Sequence, residues 1–122
     1  GLFDMGTLNA IHEKMHRALG QVGGRIDAVF YCPHTADTGC DCRKPKPGLL
    51  KEAAKRFGVD MSGVPVVGDG LRDLQAADAV GGQPMLVLTG KGEKTLREGS
   101  FPKNTVIFPD LAFAVSALLA AD

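Results

Sequence analysis

The chain is short of several things, and each shortage removes a class of function. It has no excess of either charge: 14 Lys and Arg stand against 14 Asp and Glu, for a net charge of zero. A basic nucleic-acid footprint and an acidic tail are therefore excluded. It has no long hydrophobic run; the longest apolar stretch, Leu111 to Ala121, is broken by Ser116 and is too short to span a bilayer. The residues from Gly1 carry no basic segment followed by an apolar one, so no secretory signal is legible there. Cysteine is limited to three, an odd number that suits a disulfide framework poorly. A hydrophobic fraction of 44% and a charged fraction of 23% exclude wholesale disorder. At 122 residues the chain is expected to form one domain, spanning 1–122. A domain of that size buries about two thirds of its unfolded surface.

What the chain has in abundance is glycine, 16 residues, about twice the usual share of roughly 7%. With seven prolines this implies many sharp turns between short elements. A first helix, capped by Asp4 or Thr7, is expected to run to about Leu19 with Leu8, Ile11, Met15 and Leu19 on one face. Ile26–Tyr31 reads as a buried strand, and residues 32–48 as a loop. Pro47 can open a second helix with Leu49, Leu50, Ala53, Ala54 and Phe57 inward. Strands are expected at Val64–Val67, Met85–Leu88 and Thr105–Phe108, with a helix over Leu71–Val80. A last helix should turn Leu111, Val115, Leu118 and Leu119 inward. Alternating strands and helices, with uniformly apolar strands, indicate an α/β fold with a parallel sheet covered by helices on both faces. In such folds ligands bind beyond the carboxyl ends of the strands.

Three groups of residues carry chemistry. Cys32, His34, Cys40 and Cys42 lie within eleven positions of one loop, 32–42, and match the four tetrahedral Cys and His ligands of a structural Zn²⁺ site. Cys40 and Cys42 are too close in sequence for a relaxed disulfide. Directly behind them, Arg43, Lys44 and Lys46 stand between this clip and a helix start, as a phosphate site would. The third group is Val66-Val67-Gly68-Asp69-Gly70, an apolar strand that delivers Asp69 to its end, with Asp73 four residues on. Such carboxylates can hold Mg²⁺, or simply cap a helix and suit its dipole. His12 and His16 read as helix-surface residues and Phe101 and Phe108 as core; Gly90-Lys91-Gly92, at a strand end where the ligand rule points, reads as a plain turn, with phosphate contact as the alternative.

In this order the three motifs resemble the haloacid dehalogenase superfamily of phosphatases, in particular its zinc-loop branch, over nearly the whole chain. The resemblance implies a Rossmann-like domain and a Mg²⁺-dependent phosphomonoester hydrolase working through an aspartyl-phosphate. It implies that Lys44 steadies the attacking carboxylate and the phosphoryl group, that Arg43 and Lys44 contact substrate phosphate, and that Asp69 holds Mg²⁺ with Asp73 supporting. Catalysis would rest on Lys44 and Asp69, and Cys32, His34, Cys40 and Cys42 would hold structural Zn²⁺. The implied substrate is a small phosphorylated sugar, a heptose 1,7-bisphosphate losing its C7 phosphate on the way to the lipopolysaccharide core. Histidinol phosphate is the alternative, and a non-catalytic zinc-clipped phosphate-binding module is the alternative of another class. A cytoplasmic enzyme, monomeric when complete, with no membrane or nucleic-acid partner, is implied as well.

Two departures from the family pattern stand out. Gly70 occupies the position after Asp69 where the family often has a lysine, and no Asp-x-Asp, the family's nucleophile motif, occurs in the 122 residues. The resemblance therefore implies that the strands carrying the nucleophile lie upstream, with the domain incomplete at its N-terminus. In the implied strand order 3-2-1-4-5, Ile26–Tyr31 is the third strand and Val64–Val67 the fourth. The metal expectation has a direct test: elemental analysis should find one zinc per chain, and Cys40→Ser should lose it. Zinc-free protein, or a disulfide among these cysteines, would contradict the reading.

Overall fold

The computed structural model describes residues 5–31 and 39–120. The chain forms α1 (Met5–Gly20), α2 (Gly48–Phe57), β1 (Pro65–Gly68), α3 (Leu71–Ala79), β2 (Gln83–Val87), α4 (Gly92–Glu98), β3 (Val106–Phe108) and α5 (Leu111–Ala120). The strands form one parallel sheet in the order β1-β2-β3, with Val67 opposite Met85 and Leu86 opposite Ile107. Each parallel step is closed by a crossover helix, α3 between β1 and β2 and α4 between β2 and β3. Three of the four expected strands, and the helix over Leu71–Val80, are present to within a residue or two.

The core is centred on β2. Pro84, Met85, Leu86 and Val87 are all buried. Successive strand side chains point to opposite faces, so both faces of β2 are covered. α3 packs on β1 and β2 through Leu74 and Ala77, three residues apart and fully buried, while α5 lies against β2 and β3. The ends of the helices follow their local chemistry. Gly58 and Gly99 close α2 and α4 in the left-handed conformation, with φ of 62° and 69°. Asp110 caps α5, its Oδ1 accepting the N–H of Phe113 at 2.8 Å.

Several expectations are corrected. Ile26–Tyr31 is not a strand. A strand exists only with a ladder partner, and among the described residues β1 pairs on one side only, with β2. Phe30 of the 26–31 segment and Val66 and Val67 of β1 line one cavity of about 280 Å³, together with Leu50 and Ala76. α5 turns Ala114 and Leu118 toward the sheet, while Leu111, Val115 and Leu119 are exposed. Apart from Ser116 that helix is apolar throughout, so its pattern selects a face only weakly. Phe57 is exposed as well, and Phe101 and Phe108 are half-buried rather than core. On α1 the half-buried stripe is Leu8, His12, Met15 and Leu19, with Ile11 exposed; His16 lies on the exposed side as expected.

Candidate phosphate site at the carboxyl end of the sheet

Asp69 follows the last residue of β1 and is half-buried. Its carboxylate Oδ2 accepts the backbone N–H of Lys91 at 3.0 Å, and its carbonyl accepts the hydroxyl of Thr95 at 2.7 Å. Thr95 is buried, 6% exposed. Both contacts come from the turn and helix that follow β2, so two neighbouring strand ends are tied together at Asp69. Gly90 makes this approach possible. Its φ is +58°, and a Cβ there would run into Asp69 Oδ2. The Gly90-Lys91-Gly92 segment, read above as a plain turn, is therefore part of the site. The rule that ligands bind beyond strand ends is the signal that pointed to it.

Asp73 sits in the first turn of α3. Its Oδ2 accepts the N–H of Gly70, the residue capping the helix, at 3.2 Å, and its Oδ1 pairs with Lys44. Lys44, 29 residues earlier, is thus brought to the sheet by Asp73. Gly68 makes room for that carboxylate, because a Cβ on Gly68 would strike the Asp73 side chain.

The basic loop is closed on itself. Gly48 N–H donates to Asp41 O at 2.9 Å and Lys46 N–H to Arg43 O at 3.0 Å. A Cβ at Gly48 would overlap the backbone of Asp41 and Cys42. These bonds hold Arg43–Lys46 in a compact turn ahead of α2. Arg43, Lys44, Lys46 and Arg72 line one cavity of about 480 Å³ together with Cys40 and Gln75. A second cavity of about 630 Å³ has Asp69, Asp73 and Lys44 in its wall, with Lys91 and Lys94. Lys44 and Arg72 belong to both. The structure thus unites Arg43, Lys44, Asp69 and Asp73, and adds Arg72 and Lys94 together with Lys91 of the Gly90-Lys91-Gly92 turn.

Cys40 and Cys42 are half-buried at the start of this loop. Cys32 and His34 lie outside the described residues, and among the described ones no three metal-ligating side chains cluster. Likewise, among the described residues no helix is long and apolar enough to cross a membrane.

A parallel sheet with crossover helices, and with two carboxylates beyond the end of β1 sharing a cavity with a lysine from a basic loop, defines an α/β domain of the kind that binds ligands at its strand ends. More narrowly, the sequence model of the HAD-hydrolase-like family matches residues 41–114, and the chain belongs to that family. It is 58% identical over 98% of its length to a D-glycero-beta-D-manno-heptose-1,7-bisphosphate 7-phosphatase of Bordetella bronchiseptica, and 49% identical over 98% to one of Pseudomonas aeruginosa. The chain spans 66% of the length of each of these relatives. Among solved structures, it superposes with a TM-score of 0.97 and 56% identity on the D,D-heptose 1,7-bisphosphate phosphatase of B. bronchiseptica complexed with magnesium and phosphate. That match covers all of this chain and 68% of the other. The Burkholderia thailandensis enzyme matches with a TM-score of 0.79 and 50% identity, over 98% of this chain and 67% of the other.

The approach of Gly90 to Asp69 can be tested by comparing two substitutions. Gly90→Ala and Gly99→Ala both place alanine at positive φ, but only the former also meets a carboxylate. The shared backbone cost is about 1–2 kcal/mol. Urea unfolding should show a clearly larger loss for Gly90→Ala; equal losses would mean that the loop does not press on Asp69.

Proposed function

We propose that this chain is the part of a heptose 1,7-bisphosphate 7-phosphatase that carries the cation-binding carboxylate, the phosphate-steadying lysine and the zinc loop. The observation that carries the reading is the convergence of Lys44, Asp69 and Asp73 on one cavity at the carboxyl end of the sheet, in a chain that is 58% identical to such an enzyme. The reaction is the hydrolysis of a phosphomonoester to an alcohol and inorganic phosphate. Its nucleophile is a carboxylate outside these 122 residues, on a strand beside β1.

The residues suit the groups the family uses. Asp69 offers a hard oxygen donor at a strand end, which fits Mg²⁺, and Asp73 supports it from α3. Mg²⁺ when bound supplies neutralisation of phosphate charge. Lys44 is held in place by Asp73 and contacts the phosphoryl oxygens, where a fixed positive charge lowers the barrier without reorganisation. Arg43 serves the substrate phosphate, its planar fork matching two oxygens at once. Cys32, His34, Cys40 and Cys42 hold Zn²⁺, which fixes the base of the basic loop that Gly48 closes from the other side.

In the full-length natural protein, Lys44→Ala should lower kcat with the heptose bisphosphate by roughly 100-fold or more, the scale of a lost charge-stabilising donor. Asp69→Asn should raise the Mg²⁺ concentration needed for half-maximal rate. Near-normal turnover in Lys44→Ala would contradict the assignment.

A further inference from the structure

We propose that Lys91 is a second catalytic cation of this site, binding the transferring phosphoryl group together with Lys44; the proposal rests on the phosphatase reading above. A phosphoryl group in transfer spreads its charge over three equatorial oxygens, so one lysine leaves part of it unanswered. Lys44 is moreover already paired with Asp73. The residue following Asp69 adds nothing, since it is Gly70. Lys91 and Lys94 are the other lysines lining the cavity that holds Asp69, Asp73 and Lys44, and neither makes an ion pair among the described residues.

Lys91 is distinguished from Lys94 by its anchoring. Its own backbone N–H is bonded to Asp69 Oδ2, and the glycine before it is the one pressed against that carboxylate. The position of Lys91 is thus fixed relative to the carboxylate that defines the reaction centre. Lys94 lies within α4, three residues after Lys91, with no such tie among the hydrogen bonds to Asp69. The anchor is a main-chain group, so replacing the side chain leaves it intact and isolates the charge. Gly70 supplies a second handle. It lines the same cavity, its backbone is extended (φ −113°, ψ 153°), and a Cβ there meets only Asp73 Oδ2 at 3.4 Å. A lysine introduced at 70 therefore has a permitted backbone and open space toward the phosphate.

The test uses the full-length natural protein with Mg²⁺, the heptose bisphosphate as substrate and inorganic phosphate as product inhibitor. Lys91→Gln should lower kcat/KM about 10- to 100-fold, the scale of one charge-assisted hydrogen bond. It should weaken phosphate inhibition in parallel while leaving the thermal midpoint unchanged. Lys91→Arg should keep most activity, and Gly70→Lys added to Lys91→Gln should recover at least about tenfold. Unchanged kcat/KM and phosphate inhibition in Lys91→Gln would overturn the proposal while leaving the phosphatase reading standing. The same loss arising from Lys94→Gln in place of Lys91→Gln would also overturn it. A wild-type protein that neither releases nor binds phosphate would overturn the underlying reading and the proposal with it.

Discussion

The bonds that tie Asp69 to the segment after β2 are the constraint on which the site depends. Asp69 carries two of them, a carboxylate oxygen receiving the N–H of Lys91 and a carbonyl receiving the hydroxyl of Thr95. Thr95 is buried, and its hydroxyl lies within hydrogen-bond distance of two carbonyls, that of Asp69 at 2.7 Å and that of Lys91 at 3.2 Å, so it links the β1 end to the turn before α4. The tie therefore serves stability and positioning together. It joins the ends of β1 and β2 beyond the ladder itself, beside the cavity that Lys44, Asp73, Lys91 and Lys94 line together. Gly68 and Gly90 are the small residues that permit it, one admitting Asp73 and the other admitting the loop.

The same logic extends to the basic loop. Three cations in a row would ordinarily be a solvated run. Here the turn from Asp41 to Gly48 is bonded across its neck, and Lys44 is captured by a carboxylate on α3. Charge that would otherwise sample solvent is held near one point before any substrate arrives. Preorganisation of this kind is what makes an electrostatic contribution to phosphoryl transfer large.

Much of this was legible in the residues. The apolar runs at 64–67 and 85–88 announced parallel strands because both faces of such strands are covered, and β2 is buried along its length. Asp69 and Asp73 were placed by their positions at a strand end and in a first helical turn, and Lys44 by its motif. Ile26–Tyr31 was misread because its composition suits a strand while its ladder partner is not among the described residues; pairing is a tertiary property that composition does not carry. In α5 the helix and the inward Leu118 were legible, but Leu111, Val115 and Leu119 were not, because a helix apolar but for Ser116 declares its inner face only weakly. The Gly90-Lys91-Gly92 turn lies where the strand-end rule points, but its residues read equally well as a plain turn, because only the fold shows that it is bonded to Asp69.

The central claim is that this geometry serves the removal of phosphate from a sugar bisphosphate. The most direct measurement gives the full-length natural protein D-glycero-D-manno-heptose 1,7-bisphosphate and, separately, histidinol phosphate, and follows phosphate release with phosphorus NMR of the products. The account predicts rapid Mg²⁺-dependent loss of the C7 phosphate, with the C1 phosphate retained, and little turnover of histidinol phosphate. Preferential hydrolysis of histidinol phosphate, or no phosphate release from either compound, would contradict it.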